Sequence, residues 1–367
     1  MTIETRLSPL QRVHEAAGAR FTDFAGWNMP LRYGSELEEH RAVRERAGLF
    51  DLSHMGQIIV DGPQAGEFLD FAVTGRLSTK AVGRATYTMI TEETGGIVDD
   101  LVVYRLDETL FMVVANASNR VVVGQLLRER SDDFDVEVSE PRLDRALVAV
   151  QGPAAASILA GLGVEDLASL KYYWSRPATV AGVDVLLART GYTGEDGFEL
   201  FCDADDAVAL WEAVAAAGES AGLIPCGLAC RDTLRLEAGM PLYGHELTRD
   251  LTPFDAQLGR VVDLKKENFV GREMLAKAAE TQPSRLLVGL SGQGRRAARD
   301  GYTIMADGAE IGVVTSGALS PTLGHPIALA YVETARAVTN ATVEVDIRGA
   351  ATAMTIVDLP FYHRPRP

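Results

Sequence analysis

The sequence predicts an α+β fold that ends in an all-β barrel, and three observations carry that class. Between residues 8 and 280, strand-like and helix-like runs follow one another without the regular β-α-β winding of a parallel sheet. From Arg285 onward, short β runs alternate with Gly, Pro and Asn turns, as in Leu286 to Leu290, Ile311 to Ser316, Ile327 to Val332 and Thr342 to Ile347. A chain of 367 residues also exceeds one ordinary core, which implies two or three domains. Residues 1–280 are expected to form two interleaved α+β subdomains meeting near residue 145, with Gln282-Pro283-Ser284 as linker and 285–367 as the barrel.

Composition narrows the function before any motif does. Hydrophobic residues at 47% and charged residues at 23% suit a soluble globular chain. A formal charge of -16, from 35 Lys and Arg against 51 Asp and Glu, with no basic patch, argues against nucleic acid or an anionic membrane as partner. An anionic small molecule needs only one or two well-placed arginines. Met1 to Leu10 lacks the apolar core of a signal peptide, and no run approaches the roughly 18 apolar residues of a spanning helix, so a cytoplasmic location is expected. Cys202, Cys226 and Cys230 form no CxxC pair and read as small buried hydrophobes. The six histidines show no paired ligand spacing, so no catalytic metal is expected.

In chain order, Ser8 caps a helix with Pro9 at its first position, and Gly18 stops it. Aromatic residues interleaved with Gly and Pro make Phe21 to Pro30 an ordered loop. The charged run Ser35 to Arg46 is a helix ended at Gly48, and Leu49 to Gly56 leads into a strand from Gln57 to Val60. His54, in that lead, reads as a satisfied structural histidine. A helix around Gln64 to Phe71 follows.

The most informative stretch is Gly95 to Tyr104, which pairs as a hairpin with Ala85 to Ile90. It sets two adjacent carboxylates, Asp99 and Asp100, in an apolar strand, where aspartate is depleted and burial is costly unless the acid is bonded or paired. Strand alternation sends the two acids to opposite faces, so at most one faces a given pocket. The competing reading puts both at the strand mouth, one capping a turn and one solvated.

Leu110 to Ala115 is a further strand, and Asn116 opens a helix reaching Arg130. Strand Leu147 to Val150 and helix Ala154 to Ala160 begin the second subdomain. Between Arg189 and Leu200, three glycines in seven residues make a tight turn carrying more polar groups than a connection needs; an acidic hairpin turn is the plainer alternative. Two helices follow, Asp205 to Ala217 and Gly227 to Gly239. On the second, Arg231, Leu234 and Arg235 share a face. Arg231 is a candidate anion binder, while Arg235 with Asp232 makes an ordinary ion pair equally well. After a short helix at Arg272 to Glu280, Gly292-Gln293-Gly294 is a turn rather than a dinucleotide loop, because no helical pattern follows it.

Six of these pieces, taken in order, resemble the aminomethyltransferase family, the T proteins of the glycine cleavage system. They are Gly26 to Pro30, Phe50 to Gly56, Gly95 to Leu101, Gly191 to Glu199, Ala229 to Gly239 and Gly312 to Leu323. The Lys-Gly-Cys-Tyr motif of related iron-sulfur assembly proteins is replaced by Arg189-Thr190-Gly191-Tyr192. The resemblance implies three domains in a cloverleaf around a central folate site, with tetrahydrofolate as co-substrate and no metal. It implies as partner the lipoylated carrier, or H, protein, and as products 5,10-methylenetetrahydrofolate, ammonia and the dihydrolipoyl carrier. It implies that Asp100 is the catalytic acid group, that Tyr192, Glu199 and Arg231 contact folate, and that Tyr87 and Asn116 line the same pocket. Near the end, Phe361-Tyr362-His363-Arg364-Pro365 departs from the family's usual Thr-Asn-Tyr-Tyr wording, and Arg364 is a further ligand contact to consider. Two other functions fit the same resemblance: a folate-dependent demethylase on this fold, and a non-catalytic folate-binding regulatory protein, against which the retention of Asp100 speaks.

Overall fold

The computed structural model describes residues 5–365. The chain divides into two compact units: residues up to Ala72, Arg76–Tyr87 and Leu101–Arg231 form the first, and Val73–Gly75, Thr88–Asp100 and the chain from Asp232 form the second.

The chain begins β1 (Arg6–Leu7), α1 (Gln11–Ala16), β2 (Arg20–Phe24), β3 (Trp27–Arg32), α2 (Glu36–Glu45), β4 (Ala47–Asp51), β5 (Gly56–Asp61) and α3 (Ala65–Ala72). It continues with β6 (Ala85–Thr91), β7 (Ile97–Arg105), β8 (Leu110–Ala115), α4 (Arg120–Glu129) and β9 (Glu137–Val138). Next come β10 (Arg145–Gln151), α5 (Ala155–Gly161), β11 (Ser175–Val180), β12 (Val183–Ala188), β13 (Gly197–Asp203), α6 (Ala207–Gly218), β14 (Leu223–Pro225) and α7 (Leu228–Glu237). After α8 (Arg272–Glu280), six strands remain: β15 (Arg285–Gly292), β16 (Thr303–Ala306), β17 (Ala309–Leu319), β18 (Pro326–Glu333), β19 (Thr342–Ile347) and β20 (Ala350–Val357). The fold is α+β, and these last six close a barrel in the order β15-β18-β17-β16-β19-β20.

Before the barrel, β1-β3-β2 make a small sheet, β11-β12-β13-β10-β4-β14 a six-stranded one and β6-β7-β8-β5-β9 a five-stranded one. Residue 145 lies where the chain leaves β9 for β10, passing from the five-stranded to the six-stranded sheet. In the first unit, Val148, Val150, Phe198 and Leu200 project from the six-stranded sheet into a core completed by Ile158 and Leu159 of α5 and by Leu210, Trp211 and Val214 of α6. In the second, β18 is buried on both faces. Ala328, Ala330 and Val332 fill the barrel with Leu290, Val314 and Val345, while Ile327, Leu329 and Tyr331 pack outside it against Leu236 of α7. Period-2 alternation between two apolar environments explains an unbroken apolar strand, and the alanines suit the narrow interior of a small barrel.

Several local expectations are corrected. Phe21 to Pro30 is not a loop: β2 and β3 form a hairpin with Phe24 opposite Trp27. Its two turn residues, Ala25 and Gly26, both have positive φ, 53° and 80°, as a two-residue turn between twisted strands requires. β1 pairs with β3 only at Trp27 and Asn28, so the missing N–H of Pro30 falls beyond that pairing. Helix α1 starts at Gln11, later than Pro9, because the Ser8 hydroxyl is engaged elsewhere: it donates to the Asp51 carboxylate and accepts from the Leu10 N–H at 3.1 Å. The lead from Leu49 is itself strand; all five residues of β4 are buried between β10 and β14, so no alternation marks it.

Candidate functional site

The glycine-rich connection between β12 and β13 is a fixed platform. Arg189 grips Asp196 with two bonds, Nε to Oδ1 at 2.9 Å and Nη2 to Oδ2 at 2.6 Å. Arg44 donates to the Thr193 carbonyl at 2.7 Å and to Glu195 Oε1 at 2.9 Å. Gln151 lies beneath, donating to the Thr190 carbonyl at 3.1 Å and accepting from Thr193 Oγ1 at 3.0 Å. A Cβ on Gly191 or Gly197 would come within 2.1 or 2.5 Å of the Gln151 side chain, so the amide fits only under glycine. Tyr192 is therefore presented from a loop tied down on both sides, which is more than an acidic hairpin turn.

Two other candidates meet it. Arg231, in the first turns of α7, places its guanidinium 4.8 Å from the centroid of the Tyr192 ring. Burial lowers the Arg231 pKa, opposed by the charges of Tyr192 and Glu199 nearby. The start of α7 is positioned by Glu39, whose Oε2 accepts the Gly227 N–H at 2.9 Å while its Oε1 accepts those of Tyr33 and Gly34. Glu199 of β13 is held by the Thr190 hydroxyl and by Tyr104, whose OH donates to Oε2 at 3.1 Å. Burial, reinforced by Glu199, pushes the Tyr104 phenol well above its ordinary pKa, so Tyr104 stays a donor at neutral pH. Tyr104 and Thr190 were not singled out from sequence. The available signal was a tyrosine in an aliphatic strand, since a buried phenol needs a partner.

His54 is not the satisfied histidine its sequence context suggests. It is 2% exposed, its ring stacks edge-on against Phe24 at 5.3 Å, and among the described residues its Nδ1 has no hydrogen-bond partner. Burial, reinforced by the Arg231 charge, lowers its pKa to about 4. Gln57, three residues on and equally buried, likewise leaves Oε1 without a partner among the described residues. Such an unmet buried group costs about 1–3 kcal/mol. The structural histidine of this region is instead His14, whose Nε2 lies 2.8 Å from Asp51 Oδ2 and whose Nδ1 meets the Tyr33 OH at 2.8 Å. Burial alone would raise the Asp51 carboxyl; bonds from His14, Ser53 and Ser8 overcome that and hold it below its ordinary value.

Tyr192, Glu199 and Arg231 are thus brought together within the first unit. Tyr87 of β6 and Asn116, whose carbonyl accepts the Asn119 and Arg120 N–H groups at the start of α4, belong to the same unit and are half-buried. Asp100 belongs to the second unit, as does Arg364, which is exposed. The two neighbouring acids of β7 differ in burial: Asp99 is fully buried and Asp100 half-buried. Around Asp99, the Tyr243 OH donates to the Ile97 carbonyl at 3.2 Å, and burial raises the Tyr243 phenol, with the Asp99 charge adding to the rise. Gly96 keeps this strand entry close, because a Cβ there would sit 2.0 Å from the Arg249 carbonyl oxygen.

Arg235, expected to share the face of Arg231, has a structural task in the second unit. Its Nη1 lies 3.0 Å from Glu246 Oε2, its Nη2 donates to Ser316 Oγ at 2.8 Å and its Nε to Asp232 at 2.9 Å. Glu246 in turn accepts the Thr315 hydroxyl at 2.5 Å. These bonds join α7 to the barrel strand β17.

Fold and site define a protein with an α+β region that ends in a small closed barrel and carries a platform of arginine, tyrosine and glutamate. The chain matches the GCVT N-terminal domain over residues 10–266 and the glycine cleavage T-protein C-terminal barrel domain over residues 285–363. It belongs to the glycine cleavage T-protein family, the aminomethyltransferases. It is 61% identical to an aminomethyltransferase of Streptomyces coelicolor, with 99% of each chain covered, and 47% identical to one of Moorella thermoacetica, again over 99% of each. The crystal structure of glycine cleavage system aminomethyltransferase T from Bartonella henselae superposes with a TM-score of 0.92 at 40% identity, covering 98% of this chain and 99% of that one. No helix among the described residues is long and apolar enough to cross a membrane.

Proposed function

We propose that the protein transfers the methylene carbon of an aminomethyl group, carried on the lipoyl arm of a carrier (H) protein, to tetrahydrofolate. The products are 5,10-methylenetetrahydrofolate, ammonia and the dihydrolipoyl carrier. The observation that carries this reading is the end-to-end match to aminomethyltransferases, over 99% of both chains in the first case above.

The chemistry asks mainly for positioning. The methylene carbon is already activated between nitrogen and sulfur, and the folate nitrogens are adequate nucleophiles once oriented. In this reading Asp100 accepts a hydrogen bond from a folate N–H, orients the lone pair and stabilises positive charge as the nitrogen attacks. Glu199, held by Tyr104 and Thr190, suits the paired N–H donors of the pterin edge. Arg231, preset over Tyr192, suits an acidic group of folate. Tyr87 and Asn116 line the pocket, and Arg364 is a further contact.

The test is direct. Purified protein with tetrahydrofolate and aminomethylated lipoyl carrier should release ammonia and form 5,10-methylenetetrahydrofolate. Formation of 5-methyltetrahydrofolate from a methyl donor, with no ammonia from the carrier, would replace this function with a demethylase.

A further inference from the structure

His54 and Gln57 are buried polar residues of the first unit that the proposed reaction leaves without a task. Both are 2% exposed, and among the described residues neither His54 Nδ1 nor Gln57 Oε1 reaches a hydrogen-bond donor. They stand three residues apart where the chain passes from β4 of the six-stranded sheet into β5 of the five-stranded one. Residues that merely filled this volume would be apolar, because an unmet buried acceptor is destabilising.

Two independent paths lead from them to the platform. His54 lies close enough to Arg231 for the guanidinium charge, after burial itself, to lower its pKa to about 4. The imidazole is therefore neutral at physiological pH, and in its Nε2–H tautomer Nδ1 has a lone pair to offer. Gln57 pairs with Val114, and Val114 with Val102, so the three side chains share one face of the sheet. Two residues on from Val102, alternation returns the same face at Tyr104, the residue whose OH holds Glu199.

We infer that His54 Nδ1 and Gln57 Oε1 form an acceptor pair that positions tetrahydrofolate by receiving N–H groups of its reduced heterocycle beside Arg231. This rests on the reading of the platform as a folate site. The ligand class follows from charge. At the two acceptor atoms themselves an ammonium is disfavoured, because Arg231 would repel it, and so is a carboxylate, because its lone pairs would face theirs, whereas an acidic group can still reach the guanidinium itself. An uncharged ring bearing N–H donors meets both conditions.

The experiment is an anaerobic equilibrium titration of the full-length protein with tetrahydrofolate, run beside the transfer assay. His54→Leu and Gln57→Met remove the acceptors while keeping apolar volume, and each should weaken binding about 5- to 20-fold without lowering the melting temperature. His54→Asn, which returns an acceptor oxygen near the Nδ1 position, should restore most of the affinity; a purely structural histidine would show no such rescue. Parental affinity in His54→Leu or in Gln57→Met overturns the inference, and if His54→Leu does not fold, Gln57→Met decides. A parent that binds folate but releases no ammonia removes the transferase reading and leaves the acceptor pair to stand on the titration. A parent that does not bind folate removes both.

Discussion

Arg231 lies over the face of Tyr192, 4.8 Å from the ring centroid, and the ring is carried by a loop that Arg189, Arg44 and Gln151 hold in place. The guanidinium is thereby oriented before any ligand arrives, at the cost of its own desolvation. An anion that binds there gains a charge-assisted bond without having to order the arginine.

Arg231→Ala should therefore raise KM for tetrahydrofolate by about 10- to 100-fold, the equivalent of roughly 1.5–3 kcal/mol, with a much smaller change in kcat. Glu199→Ala should behave in the same direction, since it too would contact a part of folate remote from the transferred carbon. Steady-state kinetics with varied folate decide it. Folded variants with parental KM would take both residues out of the site.

The pair Arg235 and Glu246 should matter to stability instead. The two side chains are 2% and 0% exposed, and truncating Glu246 leaves the buried guanidinium with only the half-exposed Asp232 as counterion. Glu246→Ala should cost about 3–5 kcal/mol. Replacing both with apolar residues of similar volume, Arg235→Met with Glu246→Leu, should recover much of that loss. Urea melts of the single and double variants test this; a double variant no more stable than the single one would show that the hydrogen bonds to Ser316 and Thr315, not the ion pair, set the energy.

Most of the fold was legible where one environment repeats along an element. Arg272 to Glu280 is a helix with both ends as expected, and the apolar runs of β15, β17, β18 and β19 announced the barrel. What escaped was short or lacked contrast: β16 has four residues, β20 is rich in Ala and Thr, and β4 is buried throughout. Phe21 to Pro30 reads as a loop in sequence because Gly26 and Pro30 resemble loop punctuation, although one belongs to a two-residue turn and the other lies beyond the pairing with β1. The platform was visible as too many polar groups around three glycines. Tyr104 and Gln151, which hold it from 86 and 42 positions away along the chain, were not. Single-sequence patterns report periodicity, not which distant side chains share a bond.

His54 makes a pH prediction whose sign follows from its depressed pKa. The unfolded chain takes up a proton near the ordinary value of 6.5, while the folded protein does so only near 4. As pH falls between those values, protons favour the unfolded state, so His54 lowers stability by about 3 kcal/mol across the window. His54→Leu should remove that part of the slope. Asp51 acts in a lower range: its held-down carboxyl contributes stability above the ordinary carboxylate value that is lost as pH drops through the folded one. Denaturant melts of parent and His54→Leu from pH 4.5 to 7.5 should lie close together near neutrality and separate toward acid, with the parent losing stability relative to the variant; parallel curves would mean that His54 takes up its proton in the folded protein as readily as in the unfolded chain.

The adjacent acids of β7 carry the last prediction. Alternation points Asp99 and Asp100 to opposite faces, and their burial differs accordingly, complete for Asp99 and partial for Asp100. Asp99 lies near Tyr243 of its own unit, whose phenol feels its charge and donates to the Ile97 carbonyl. That is a structural setting, and the proposed function gives the chemistry to the half-buried neighbour. Asp100→Asn keeps the volume and much of the hydrogen-bonding shape but removes the charge, so folate should still bind while the transition state loses its electrostatic partner. A loss of about 10²- to 10⁴-fold in single-turnover rate is expected, or roughly 3–5 kcal/mol. Asp99→Asn should stay within about tenfold of the parental rate and show its effect in melting temperature. Single-turnover transfer at saturating folate for both variants decides the matter: if Asp99→Asn is the slower, or the two are equally slow, the catalytic carboxylate has been assigned to the wrong face of the strand.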